Sequence, residues 1–195
     1  MKRLFAFIFI AFLLSHPGFA QTLQQSSASS FPPEITFGLR GGLNLSSVSA
    51  FSNYLGFHGA ITGDFQTSDR FGYSSEIGFS KQGGYTGGTT LTTNYISVPL
   101  LLNIYTGRFT WQAGGYSALL LQANVKTGYG FNDVTGALTG SDFGLVAGFK
   151  LRVLEKAGVG LRYYLGLKEI SGGNYFPFNS QLYNSTLQFS LNYHF

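Results

Sequence analysis

The feature that most constrains this chain is a strict alternation of apolar and polar side chains over residues 185–195. The apolar positions are Leu187, Phe189, Leu191, Tyr193 and Phe195. Successive side chains of a β-strand point to opposite faces, so this segment predicts a strand with one apolar and one polar face. Its length suits a tilted strand that crosses a bilayer, which needs about 9–11 residues.

The same alternation recurs upstream and predicts an all-β chain. The predicted strands are residues 34–45, 55–67, 71–82, 94–105, 109–121, 142–153, 157–168 and 185–195. The connections after the second, fourth and sixth strands are short, whereas the other connections run from nine to twenty residues. Short turns at one end and long loops at the other are typical of outer-membrane barrels. We therefore predict an eight-stranded antiparallel transmembrane β-barrel over residues 34–195.

Two segments fit this pattern less well, and two others are predicted to be loops. Pro99 lies inside the fourth predicted strand and lacks a backbone N–H for the sheet, so we expect a β-bulge there. The alternation fails at residues 119–121, where three leucines follow one another. Residues 83–93 are rich in Gly and Thr and are predicted to form a loop, as are residues 122–141.

The first 33 residues are not predicted to belong to the barrel. Lys2 and Arg3 precede an apolar run over residues 4–14, and small residues follow before Ala20. This pattern predicts a secretory signal peptide over residues 1–20, because the apolar run is too short to span a bilayer. Residues 21–33 are rich in Ser and Gln and predict a flexible periplasmic leader.

The composition excludes several classes of protein. The chain has no cysteine, which excludes disulfides, thiolate metal sites and a cysteine nucleophile. Only 10% of its residues are charged, against about 25% in globular proteins. Without Lys2 and Arg3, ten basic residues face eight acidic ones, and this near balance argues against a nucleic-acid partner.

The main structural alternative is a soluble barrel of lipocalin type, whose apolar face would point inward. Charged side chains favour the transmembrane barrel, because they fall on the polar face of their strands, diluted by glycines. In a lumen, charges of both signs can pair, and we expect a network there that fills the barrel as a plug rather than a conduit. The predicted network is Arg40, Asp64, Glu76, Lys150, Arg152, Arg162 and Lys168.

Aromatic residues of the apolar face concentrate at the strand ends next to the short turns. This placement predicts an aromatic girdle at a membrane interface. The predicted girdle is Phe37, Phe65, Phe71, Tyr73, Phe109, Trp111, Tyr193 and Phe195.

Two stretches give the chain a family resemblance. Residues 38–44, GLRGGLN, and residues 94–102, NYISVPLLL, resemble the PorT-like outer-membrane β-barrel family of Gram-negative bacteria, as does the aromatic last strand. That family is similar in shape to small OmpA- and OmpX-type barrels. The resemblance implies that Pro99 belongs to the fold, and the best-known members of the family assist a secretion apparatus.

No pattern in the sequence indicates catalysis. His58 and His194 are predicted near opposite ends of the barrel, so a shared metal site is not expected, and no cofactor is predicted. We expect a non-enzymatic interaction or assembly platform in the outer membrane, with a narrow pore as the alternative and a lipid-directed enzyme at the rim as a weaker one. The expected partners are outer-membrane lipid, the barrel-assembly machinery at the last strand and a protein at the loops or rim. The barrel itself is expected to be a monomer.

Overall fold

The computed structural model describes residues 34–48, 52–128, 130–170 and 182–195. The predicted signal peptide and leader, residues 1–33, lie outside the described residues. In the part of the chain that the structure describes, no helix is long and apolar enough to cross a bilayer. The strands are β1 (Glu34–Val48), β2 (Tyr54–Gln66), β3 (Phe71–Thr86), β4 (Thr89–Thr106), β5 (Phe109–Thr127), β6 (Gly130–Asp133), β7 (Ser141–Arg152), β8 (Ala157–Gly166) and β9 (Asn184–His194).

Eight of these strands close into an antiparallel barrel in the order β1-β2-β3-β4-β5-β7-β8-β9, and β9 pairs back onto β1. The short strand β6 pairs only with the far end of β5. The predicted fold class is therefore confirmed. We call the end that carries the connections 67–70, 107–108 and 153–156 the short-turn end, and the opposite end the loop end.

The barrel wall turns its apolar face outward. On β3, Ile77 is 67% exposed, whereas its neighbour Glu76 is 4% exposed and points inward. On β9, Leu191 is exposed and Ser190 is buried in the same way. A soluble barrel around an apolar ligand would have the opposite arrangement, so these faces suit a barrel surrounded by lipid.

The predicted loop over residues 83–93 is wrong, because β3 and β4 continue through it as a hairpin. Their ladder extends to the pair Thr86 and Thr89, and the chain reverses at Gly87 and Gly88. Both glycines have positive φ, +53° and +80°, the conformation that tight hairpin turns require at their central residues. The Gly and Thr content marks the turn and its flanking strands rather than a long loop.

The irregular leucines and Pro99 have separate explanations. Between β4 and β5, Asn94 pairs with Gln122 and Tyr95 with Leu120, so Leu121 is the extra residue of a bulge that resets the alternation. The bulge predicted at Pro99 is wrong. Residues 76–77 of β3 and 98–99 of β4 do not pair, and the ladder then resumes in the same register. The missing N–H of Pro99 is therefore accommodated by a short gap in the pairing and not by an extra residue.

Because the apolar wall faces outward, an arginine placed on it should destabilise the barrel more in the middle of a strand than at its end. Ile77 lies six residues from Phe71 along β3, or about 15 Å along the barrel axis for a tilted strand. Ile77→Arg should reduce the free energy of folding by about 2–4 kcal/mol, and Phe71→Arg, at the predicted interface, by about 1 kcal/mol or less. Reversible urea unfolding in lipid vesicles measures both losses. Equal losses would contradict the assignment of Ile77 to the membrane interior.

Candidate functional site

The centre of the barrel holds one continuous network of polar side chains, which we call the waist network. Each of the eight barrel strands contributes one inward-facing residue to it. Each link between successive members is a hydrogen bond between side chains. In bonding order the members are Gln188, Arg40, Glu76, Arg162, Gln112, Asn103, Asp64 and Lys150.

Glu76 is the branching anion of the waist network, because both arginines donate to it. Arg40 Nη1 lies 3.2 Å from Glu76 Oε2, and Arg162 Nη2 lies 2.6 Å from Glu76 Oε1. The side chains of these three residues are only 1–3% exposed. Two guanidinium groups and one carboxylate leave the group with one net positive charge, held where water has little access.

Neutral amides connect the arginines to the wall. Gln188 Oε1 accepts from Arg40 Nη2 at 3.1 Å, and Gln112 Oε1 accepts from Arg162 Nε at 2.8 Å. Tyr164 accepts a longer bond from Arg40, at 3.5 Å between Nη1 and the hydroxyl oxygen. Each guanidinium is therefore oriented by an amide as well as by the shared carboxylate.

The network continues toward the short-turn end through a second pair of charges. Gln112 Nε2 donates to Asn103 Oδ1 at 2.7 Å, and Asn103 Nδ2 donates to Asp64 Oδ1 at 3.3 Å. Lys150 Nζ lies 3.0 Å and 3.1 Å from the two Asp64 oxygens. The predicted network did not include the amides Gln188, Gln112 and Asn103. The available signal for them was their position on the polar, inward-facing side of their strands.

The interior is filled at this level. Gly148 pairs with Arg162, and a methyl group at Gly148 would lie 2.8 Å from Arg162 Cγ, so the glycine makes room for the arginine. Beside Arg40, His58 and Glu76 lies a cavity of only about 10 Å³. That space holds about one water molecule, so this cavity is too small to admit a solute.

Two residues of the predicted network lie elsewhere in the barrel. Arg152 is exposed at the short-turn end, where it donates to the Gly107 carbonyl oxygen at 3.4 Å. Lys168 lies at the loop end and donates to Ser141 Oγ at 2.6 Å. Both residues were predicted from the polar face of a strand, but their heights along the barrel axis keep them from the waist.

The two histidines are also separated. His58 Nδ1 lies 2.7 Å from Asn44 Oδ1, on the loop-end side of the waist. His194 Nδ1 lies 3.7 Å from Asp64 Oδ2, near the short-turn end. In the described part of the chain, no three His, Cys, Asp or Glu residues cluster in a way that could hold a metal ion.

An apolar cluster lies at the loop end of the barrel, and we call it the loop-end cap. Residues from β1, β4, β5 and the long connections meet there, all between 0% and 6% exposed. Between the cap and the waist, Tyr116 and Tyr164 pack edge to face with ring centroids 5.3 Å apart. The cap consists of Val48, Leu91, Ala123, Leu138, Ile170 and Leu182.

Part of the wall rises beyond the barrel at the loop end, and we call it the raised sheet. It comprises residues 81–86 of β3, 89–94 of β4, 122–127 of β5, and β6. The β5–β7 ladder ends at Leu119, so beyond that point β6 takes the place of β7 beside β5. At about 3.3 Å per residue and a strand tilt of about 40° from the barrel axis, the last eight residues of β5 extend about 20 Å along that axis.

The predicted girdle residues all lie on the outer face near the short-turn end. Phe109 and Trp111 stack with ring centroids 6.0 Å apart, and Phe149, which was not predicted, packs against both. Trp111 Nε1 donates to Thr106 Oγ1 at 3.0 Å. The exposed members are Phe37, Phe65, Phe71, Tyr73, Phe109, Trp111, Tyr193 and Phe195.

Known proteins share this architecture. Neisserial surface protein A superposes with a TM-score of 0.55 at 13% sequence identity, over 85% of this chain and 100% of that chain. Ail, the attachment invasion locus protein of Yersinia pestis, superposes with a TM-score of 0.50 at 10% identity, over 85% of this chain and 100% of that chain. At these identities the likeness shows the fold alone.

Sequence comparison identifies the family. No curated protein is significantly similar to the chain in sequence. The family model of the outer membrane protein beta-barrel domain matches residues 19–172, which is more than half of the chain. The protein therefore belongs to the outer membrane protein β-barrel domain family.

Proposed function

We propose that this protein is a non-enzymatic interaction platform, anchored in the outer membrane, that presents its raised sheet outside the cell. One observation carries the proposal: side chains pack across the waist and the loop end of the barrel, while the sheet at the loop end has an edge strand, β6, with no second neighbour among the described residues. Membership in an outer-membrane family supports the location. Apart from the tight β3–β4 hairpin, the loop-end connections are longer than the short turns, which is the usual difference between outer and periplasmic connections in such barrels and supports the orientation.

The filled interior argues against a pore as the main function. A solute that entered from the loop end would have to cross the apolar cap and then the waist network. The side chains of the cap offer ions no polar ligands, and the cavity beside Arg40, His58 and Glu76 has room for only about one water molecule. An eight-stranded barrel has an interior just wide enough for side chains to fill.

The edge strand β6 has backbone groups available for a partner. Val134 N donates to Ala123 O at 2.9 Å, in line with the β5–β6 register. Hydrogen-bonded and outward-directed residues alternate along an antiparallel strand. Phe131 and Asp133 therefore direct their backbone N–H and C=O away from β5, where an extended peptide can add a strand.

The side chains around this edge indicate what kind of segment fits. Phe131, on β6, is 67% exposed, whereas the exposed Tyr85 lies on β3, at the opposite side of the raised sheet. Hydrogen bonds from the Thr135 hydroxyl and backbone N–H keep the pKa of the Asp133 carboxyl below its usual range, so this residue stays anionic. We propose that the partner is a protein that supplies an extended segment with an apolar residue and a basic residue.

The resemblance to PorT-like barrels narrows the search for that partner. Residues 38–44 lie in β1 and residues 94–102 lie in β4, so both stretches belong to the barrel wall. We propose a PorT-like membership within the broader family. On that proposal, a component of a secretion apparatus is the first partner to test.

A second prediction tests the platform in intact cells. A photoreactive amino acid at Asn132, an exposed residue of the edge strand β6 itself, should crosslink to a defined protein when Phe131 is native or is replaced by Thr. Phe131→Pro should abolish that adduct, because proline removes an outward N–H without removing a β5–β6 hydrogen bond. The measurement is the adduct yield on a gel, normalised to folded barrel.

Two controls make the crosslinking result decisive. A tag inserted after Asn132 should be accessible on intact cells, and the same tag at Gly107 should not. The same photoreactive residue at Phe109, on the lipid-facing wall, should not form the adduct. An unchanged yield in Phe131→Pro, or surface labelling at Gly107 in sealed cells, would contradict the proposal.

A further inference from the structure

The barrel interior opens at the short-turn end into a polar cavity, which we call the short-turn cavity. Its volume is about 540 Å³. Its inner wall includes Asp64 and Lys150, the last pair of the waist network. Small-molecule sites in proteins commonly measure about 300–1,000 Å³, so the space suits a small ligand rather than a lone ion.

Apart from the paired Asp64 and Lys150, the charges that line the short-turn cavity are separated by sign. The acidic residues come from β1, β2 and the turn after β2, and they are Glu34, Asp64 and Asp69. The basic residues come from the turn after β4, from β7 and from the turn after β7, and they are Arg108, Lys150, Arg152 and Lys156. In the ring order, β1 and β2 lie across the barrel from β5 and β7. The cavity therefore has an acidic wall and a mainly basic wall, on which Glu155 is the one acidic side chain.

One lining group, Lys150, retains hydrogen-bonding capacity. Its Nζ has three protons, and among the described residues its hydrogen bonds go to Asp64 alone. Buried polar groups are normally paired, so a spare donor beside a cavity of this size points to a ligand with acceptor oxygens.

We propose that the short-turn cavity binds a small zwitterion, with a short unmodified peptide as the simplest class. Its carboxylate would lie toward Lys150 and Arg152, and its ammonium group toward Glu34 and Asp69. A ligand with a single charge would meet like charges on one of the two walls, which is unfavourable. This site lies at the opposite end of the barrel from the raised sheet and is independent of the platform proposal.

The test uses the full chain refolded into lipid nanodiscs and three peptides of the same length. Trialanine carries both charges, N-acetyl-trialanine carries the anion alone, and trialanine amide carries the cation alone. Calorimetric titration should show saturable binding of trialanine, about tenfold or more tighter than either capped peptide, because each capped peptide loses charged hydrogen bonds. Absence of binding, or equal affinity for all three peptides, would overturn the proposal.

Two variants of matched charge locate the site. Arg152→Gln removes an exposed cation from the cavity wall and should weaken trialanine binding about threefold. Arg70→Gln makes the same change at a short turn outside the cavity lining and should leave the affinity unchanged. Equal effects of the two arginine variants would show a non-specific charge effect and refute the site.

Discussion

Glu76→Gln is expected to reduce the free energy of folding by about 3–5 kcal/mol, because it leaves buried charges without a counter-ion. Glu76 is the only carboxylate within bonding distance of Arg40 and Arg162 in the described network. Glutamine keeps the size of the side chain, so the loss reports the charge rather than a cavity. Trp111, the single tryptophan, allows reversible urea unfolding in lipid vesicles to be followed by fluorescence.

Because Arg40, Arg162 and Glu76 together carry one net positive charge, removing a cation should destabilise the barrel less than removing the anion. Arg40→Met removes one of two cations and leaves Glu76 paired with Arg162 as a neutral pair, so its cost should be less than half that of Glu76→Gln. Glu155→Gln changes the same charge at an exposed turn and should stay within about 0.5 kcal/mol of the parent. A Glu76→Gln cost no larger than that of Glu155→Gln would show that the waist network does not stabilise the barrel.

The alternation of side chains predicted the parts of the fold that depend on local geometry alone. The period of two in β9 and β3 gives the direction of every side chain, so the inward face of Glu76 and the outward face of Ile77 follow directly from the sequence. The alternating connection lengths predicted which strands are joined by the short turns at one end of the barrel. These features need no knowledge of how neighbouring strands are shifted against one another.

The composition of the waist network depends on that shift, which the alternation does not reveal. Arg152 and Lys168 have the parity of lumen residues, yet one lies at the short-turn end and the other at the loop end. Strand tilt and register set the height at which Gln112 meets Arg162. Partners from different strands therefore become visible only once the pairing of the strands is known.

The loop end was the least predictable region because its structure depends on tertiary contacts. The raised sheet contains many Gly and Thr residues, which suggest a loop when they are considered locally. The bulge at Leu121 redirects the chain so that Ala123 joins the cap. Packing of the cap against β4 and β5 supplies stabilisation that local propensity does not show.

A planar bilayer containing the unmodified barrel is expected to show no steady ion conductance, and neither is one containing Arg162→Ala. Arg162→Ala opens space at the waist, while Glu76 remains paired with Arg40. The loop-end cap still blocks the path, because Leu91 and Leu182 are fully buried in it. Replacing these two leucines by asparagine should hydrate the cap but leave the waist closed, so that variant should also be silent.

Only the combination of Arg162→Ala with Leu91→Asn and Leu182→Asn should conduct, because an ion then meets no dry or filled segment. The two obstacles act in series, so the expected response is strongly non-additive: conductance at the bare-bilayer level for each partial variant and discrete channel steps for the combined one. Heat-modified gel mobility identifies folded barrel in every sample, which separates a closed lumen from a misfolded protein. Steady conductance from the unmodified chain would refute the closed lumen and favour transport, and conductance from Arg162→Ala alone would show that the cap is not a barrier.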